Sequence, residues 1–120
     1  MIGTAETGKK DIMYFDGNTL AALLSDAEKA AAIVAEGPGC TSPLAVIEAA
    51  IALPELGEPG VTAFLDEQRI ELREMPPGHR LVAGALASEG KLKDRLHAAC
   101  AAYYETELFV LPNGGVGQAD

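Results

Sequence analysis

The chain has 120 residues, of which 48% are hydrophobic and 22% charged, a composition typical of one globular domain with a single modest core. Eighteen acidic residues against nine basic ones give a net charge of −9, which opposes nucleic-acid binding unless a local basic patch or a metal ion offsets it. No apolar run approaches the roughly 18 residues of a membrane span, so we expect no membrane partner. The N-terminus lacks the apolar segment of a signal peptide, and the two cysteines are expected to be reduced thiols of a cytoplasmic protein.

Predicted strands and helices alternate along the chain. The apolar spacing predicts strands at residues 12–15, 69–75 and 108–112, and a brief strand or turn at residues 40–42. It predicts helices at residues 20–34, 43–53, 58–68, 81–86 and 94–107. Ser42 is a suitable N-cap for the second helix, and Pro43 occupies its favoured first position. Ile70 and Leu72 are predicted to share the buried face of the third strand. The alternation predicts an α/β fold with a short, mostly parallel sheet flanked by helices.

Two isolated carboxylates stand out within this pattern. Asp16 directly follows the first predicted strand, where functional groups collect at the carboxyl edge of a parallel sheet. The competing interpretation is a turn or N-cap aspartate, which Gly17 and Asn18 would suit. Glu48 is the only charged residue within 43–54, so it must reach solvent, take a proton or meet a cation. Together the two acids predict a shared site for a hard cation such as Mg²⁺.

The stretches "MYFDGNTLAALL" and "CTSPLAVIEAAIAL" resemble the opening of a PIN domain of the VapC type, the ribonuclease toxins of bacterial toxin–antitoxin pairs. "RIELREMPPGHRLVAGAL" and "GKLKDRLHAACAAYYETELFVLP" are similar to later sections of the same family. The resemblance covers residues 11–120 and leaves residues 1–10 as a flexible leader. It implies a PIN-like three-layer fold, a homodimer, an antitoxin partner, and RNA hydrolysis in which Mg²⁺ or Mn²⁺ activates water.

The resemblance implies which residues hold the metal and carry catalysis. The first two acids of the family correspond to Asp16 and Glu48. The family's hydroxyl, two residues after the first acid, corresponds to Asn18, with Thr19 beside it as a second supporting residue.

Two of the family's four acids are not retained. The third position is Ala99, and the likeliest fourth position is Asn113, a neutral isostere that still offers one oxygen. Asp94 lies about a turn and a half before Ala99, in a poor direction, and Asp120 is distant at the terminus. His97 is nearer, but a lone helix histidine is more often a packing or surface residue. We therefore expect weak or absent nuclease activity.

Lys91, Lys93 and Arg95 form the densest basic cluster and are candidates for contact with RNA phosphate, although a solvated helix start is the commoner explanation. The alternative to a nuclease is a non-catalytic PIN-fold module that dimerises and holds a protein partner, with an arginine of that partner neutralising Glu48. A receiver-like or flavodoxin-like domain is a third hypothesis, disfavoured because Asp11 falls too early to pair with a second acid.

Overall fold

A computed structural model describes residues 12–109 as an α/β fold with a four-stranded sheet in the order β3-β2-β1-β4. The strands are β1 (Met13–Tyr14), β2 (Gly39–Thr41), β3 (Ile70–Leu72) and β4 (Glu107–Leu108). The helices are α1 (Gly17–Leu24), α2 (Ala27–Val34), α3 (Pro43–Ala52), α4 (Gly57–Gln68), α5 (Gly78–Leu86) and α6 (Leu92–Tyr103). Each paired strand is parallel to its neighbour, so the predicted α/β class is confirmed.

Tyr14, at the end of the interior strand β1, and Phe15, directly after it, belong to two different clusters of buried side chains. Because side chains alternate along a strand, Phe15 points to one face of the sheet and Tyr14 to the other. The Phe15 face packs against the apolar residues of α1, α2, α3 and α4. The Tyr14 face packs against Cys40 and against Cys100 of α6. Helices therefore cover both faces of the sheet, which gives three layers.

The helix predicted over residues 20–34 is instead two helices. The first ends at Leu24, and Asp26 begins the second by accepting a hydrogen bond from the Lys29 N–H at 3.1 Å. An aspartate in this role satisfies one of the free N–H groups of a helix start, so Ser25-Asp26 starts a new helix rather than continuing the old one. The apolar spacing runs through the break because both helices bury residues on the same side of the sheet.

The edges of the sheet differ from the prediction in two places. Ile70 is buried, but Leu72 is 45% exposed, because β3 is an edge strand with a neighbouring strand on one side only. Helix α6 ends at Tyr103, earlier than predicted, and β4 begins at Glu107. Residues 1–11 and 110–120, including part of the predicted last strand, lie outside the described residues.

Within residues 12–109, no helix combines the length and the hydropathy required to cross a membrane.

Candidate functional site

Asp16 lies at the carboxyl end of β1 and caps helix α1. Its Oδ1 accepts a hydrogen bond from the Thr19 N–H at 2.9 Å. Next to it, the Thr41 hydroxyl donates to the Phe15 carbonyl oxygen at 2.6 Å, which ties the end of β1 to the end of β2. The capping interpretation of Asp16 is therefore correct, and it is compatible with a further role because the capping bond uses only one of the two carboxylate oxygens.

Glu48 of α3 lies against Gly17, the first residue of α1 and the residue that follows Asp16. A Cβ atom built on Gly17 would collide with Glu48 Oε1 and would lie 2.5 Å from Glu48 Cβ, so only glycine allows this approach. The close contact exists because α1 and α3 follow adjacent parallel strands and pack against each other. The fold thus brings the second predicted acid to the residue next to the first.

The Glu48 carboxylate is held by His97, a residue on α6 that lies 49 positions later in the sequence. His97 Nε2 is 2.8 Å from Glu48 Oε1. His97 is almost fully buried, and the side chain of Glu48 is 21% exposed. The expectation of a packing histidine is correct about burial but misses this bond. The sequence carries no signal for it, because the two residues are on different helices.

The other ring nitrogen of His97 continues the hydrogen-bond chain into the core. Tyr14 Oη lies 2.7 Å from His97 Nδ1 and also 2.7 Å from Ser42 Oγ. Ser42 Oγ in turn accepts a long hydrogen bond of 3.4 Å from the Ala45 N–H, as its predicted N-cap role requires. Four side chains from β1, α6, α3 and the β2–α3 junction are thereby linked, and only the glutamate at one end reaches solvent.

Burial raises the pKa of Tyr14 well above the ordinary value of a phenol, mainly because a phenolate would lose its hydration. Tyr14 therefore keeps its proton and donates it to one of its two partners. The chain is not a nucleophilic triad, because the tyrosine separates serine from histidine and Ser42 is fully buried. It is suited to holding the carboxylate at its exposed end.

Ala99, where the resemblance implies a third acid, lies in the contact between α5 and α6. A Cβ atom built on Gly84 of α5 would be 2.6 Å from Ala99 Cβ and 2.9 Å from Ala99 Cα. Ala99 is buried, and a larger side chain there would press on the α5 backbone. Asp94 is exposed in the first turn of α6. Asn113 and Asp120 lie outside the described residues.

The remaining predicted residues lie in the first turns of α1 and α6 or directly before α6. Asn18 is exposed on α1, whereas Thr19 is buried. Lys91, the N-cap of α6, and Lys93 are both exposed. Arg95 is half-buried, and its Nε–H donates to the Gly90 carbonyl oxygen at 2.9 Å. Since α6 leads into β4, its basic start lies towards the carboxyl edge of the parallel sheet, where Asp16 also lies.

Asp16 and Glu48 could bind a hard divalent cation only as a site with few protein ligands. Asp16 and Glu48 would supply one or two carboxylate oxygens, as Mg²⁺ sites often do, with water completing the shell. Within residues 12–109, no group of three or more histidine, cysteine, aspartate or glutamate side chains is arranged to hold a metal ion. One oxygen of Glu48 is already bonded to His97, which further limits the carboxylate oxygens that remain.

Comparisons with protein-family models, with curated proteins and with solved structures find no match to this chain.

Proposed function

We propose that this chain is a VapC-like PIN-domain protein of toxin–antitoxin type, derived from a metal-dependent RNA endonuclease and weakened or inactive in cleavage. The observation that carries the proposal is the contact between Glu48 and Gly17. It puts the only charged side chain of the apolar helix α3 against the residue that follows Asp16, at the edge of the sheet where parallel α/β folds collect functional groups. The basic start of α6 supplies positive charge towards that edge.

The chemistry of the proposed site is limited by its ligands. A bound Mg²⁺ or Mn²⁺ would lower the pKa of a coordinated water and stabilise charge on an RNA phosphodiester. Asp16 and Glu48 would hold the ion, and Lys91 and Lys93 would contact phosphate. Ala99 contributes no carboxylate, and the contact with Gly84 opposes one at that position. We therefore expect the metal to bind weakly and the hydrolysis to be slow.

The test measures Mn²⁺ binding by electron paramagnetic resonance and Mn²⁺-dependent cleavage of a structured RNA. The variant is Asp16→Asn, because asparagine caps a helix as well as aspartate does but removes the charge. Asp26→Asn is the matched control, since Asp26 caps α2 by accepting from the N–H three residues later, as Asp16 does, and follows the end of α1 opposite to Gly17. We expect Asp16→Asn to weaken Mn²⁺ binding and to abolish any cleavage, and Asp26→Asn to change neither.

Equal Mn²⁺ binding and equal background cleavage by the wild type and Asp16→Asn would remove the nuclease proposal. In that event the non-catalytic module becomes the proposed function.

An exposed apolar surface supports the homodimer that the resemblance implies and that the non-catalytic module would also form. Ile47 and Ile51 on α3 are 56% and 73% exposed and, with Leu72 of β3, line an apolar groove of about 380 Å³. Isoleucines this exposed, four residues apart on one helix face, are typical of a surface that packs on another protein. The occupant we propose is a second copy of the chain, as the PIN resemblance implies.

Sedimentation equilibrium tests the dimer. Ile51→Glu puts a charge into the groove, and Val82→Glu is the control, because Val82 is 59% exposed on α5 outside the groove. We expect Ile51→Glu to raise the dimer dissociation constant at least tenfold, which corresponds to about 1.4 kcal/mol, and Val82→Glu to leave it unchanged. A monomeric wild type, or equal effects of both variants, would contradict the proposed dimer face.

A further inference from the structure

His97 and Tyr14 form a buried hydrogen-bonded pair that ends on the one carboxylate of α3. We propose that His97 is a positioning residue for Glu48, and that the Tyr14 hydroxyl fixes the tautomer in which Nε2–H donates to Glu48 Oε1. This inference deepens the proposed function and rests on it where it concerns metal binding. Its geometric part, the hold of His97 on Glu48, stands on the described contacts alone.

The direction of each hydrogen bond follows from the donors and acceptors available. Glu48 as a carboxylate can only accept, so His97 Nε2, 2.8 Å away, must carry a proton. In a neutral imidazole Nδ1 is then an acceptor, and the only donor that faces it among residues 12–109 is the Tyr14 hydroxyl at 2.7 Å. The tyrosine proton is thereby used, so Ser42 donates to Tyr14 Oη at 2.7 Å.

This order satisfies each member of the chain. Ser42 Oγ also accepts from the Ala45 N–H at 3.4 Å, which completes the series from the α3 backbone to Glu48. No buried side-chain nitrogen or oxygen atom in the described part of the chain lacks a partner. The opposite order, with Nδ1–H donating to Tyr14, would leave a neutral His97 with a lone pair facing the carboxylate.

The consequence for Glu48 is a fixed orientation. A glutamate side chain has three rotatable bonds, and without a partner it would sample several rotamers at the edge of the helix. The bond to His97 and the contact with Gly17 hold it against the start of α1, one residue after Asp16. Within residues 12–109, Oε2 has no hydrogen-bond partner, so it is the oxygen left for a cation. Residues that orient a ligating carboxylate in this way typically change metal affinity by about 10–100-fold when they are replaced.

Two substitutions test the hydrogen bonds of the two ring nitrogens of His97 separately. In His97→Gln the side-chain amide reaches the position of Nε2 and can still donate to Glu48, but Tyr14 loses its acceptor. In His97→Asn the amide oxygen reaches the position of Nδ1 and still accepts from Tyr14, but Glu48 loses its donor. Both variants keep a neutral polar side chain at the same buried position, so a merely structural role of His97 would affect them alike.

The first measurement is a long-range ¹H–¹⁵N spectrum of the metal-free protein. We expect His97 to show a protonated Nε2 and an unprotonated Nδ1. His79, exposed on α5, serves as the internal control and should show exchange between tautomers. In Tyr14→Phe the pattern of His97 should move towards that of His79. A protonated Nδ1 in the wild type, or no change in Tyr14→Phe, would overturn the assignment.

The second measurement is Mn²⁺ affinity by electron paramagnetic resonance. We expect His97→Asn to bind Mn²⁺ about 10–100-fold more weakly and His97→Gln to remain close to the wild type. If Asp16→Asn weakens binding while His97→Asn does not, the positioning role is wrong and the proposed metal site stands. If no variant changes Mn²⁺ binding, the metal site is wrong, and the nitrogen spectrum alone decides whether His97 holds Glu48.

Discussion

The contact between Gly17 and Glu48 gives the sharpest test of the site, because everything proposed for Asp16 and Glu48 depends on it. In Gly17→Ala the new Cβ would lie 2.5 Å from Glu48 Cβ and would also collide with Glu48 Oε1. The carboxylate can rotate away, but a Cβ atom is fixed by its own backbone. Helices α1 and α3 would therefore have to separate.

Forced overpacking of this kind costs about 1–3 kcal/mol, and we expect about 2 kcal/mol for Gly17→Ala. For a domain of this size 1 kcal/mol corresponds to about 4 °C, so the melting temperature should fall by about 8 °C. Gly78→Ala is the matched control. Gly78 is likewise the first residue of its helix, but no atom lies within 4 Å of a Cβ built there. It should be neutral, or more stable by about 0.4–1 kcal/mol, because alanine restricts the unfolded chain.

Urea unfolding followed by circular dichroism measures the free energy of unfolding of both variants and of the wild type. A double-mutant cycle with Glu48→Ala adds a check, since that change removes Oε1 but leaves Cβ in place. It should recover only part of the loss, with a coupling energy of about 0.5–1 kcal/mol. If Gly17→Ala is as stable as Gly78→Ala, Glu48 does not pack on the start of α1, and the argument that the two acids share a site fails.

Three further predictions concern the packing around the site. Tyr14→Phe removes a hydrogen bond from each of two buried polar partners and should lower the free energy of unfolding by about 1–3 kcal/mol. Tyr103→Phe, at a half-exposed ring, should change it by less than about 0.5 kcal/mol. Equal urea midpoints of the two variants would contradict the buried hydrogen-bond chain. Gly84→Ala should lower the free energy of unfolding by about 1–3 kcal/mol, because its Cβ would lie 2.6 Å from Ala99 Cβ. An unchanged free energy of unfolding by calorimetry would show that α5 and α6 are packed less closely than this distance implies. Burial raises the pKa of Cys40 from 9.0 to about 11, so the thiol ionises at lower pH in the unfolded chain than in the folded protein. The free energy of unfolding should therefore fall as the pH rises from 9 towards 11, by up to about 1.4 kcal/mol per pH unit. Urea unfolding at pH 8 and pH 10 should show a smaller fall in Cys40→Ala than in the wild type, and equal falls would refute this origin.

The class of the fold could be predicted from the sequence because strand and helix periodicities and helix caps act over only a few residues. Ser42 and Pro43 begin α3 where the sequence placed its start. Asp26 marks the break between α1 and α2 with an equally local signal, which the continuous apolar spacing concealed. The exposure of Leu72 could not be predicted, because the order of strands decides which of them forms an edge, and that order is not a local property.

For the site, the sequence by itself determined that Asp16 would follow a strand and that Glu48 would interrupt an apolar helix. Only the tertiary structure decided what each one meets. Glu48 is hydrogen-bonded to His97, 49 residues later in the sequence, and His97 is hydrogen-bonded to Tyr14, 83 residues earlier. No rule of residue spacing predicts contacts over such separations. These contacts exist because α6 covers the face of the sheet that carries Tyr14, while α1 and α3 approach each other closely at Gly17. Capping is a property of neighbouring residues, whereas the partner of a buried polar group is set by the packing of whole elements.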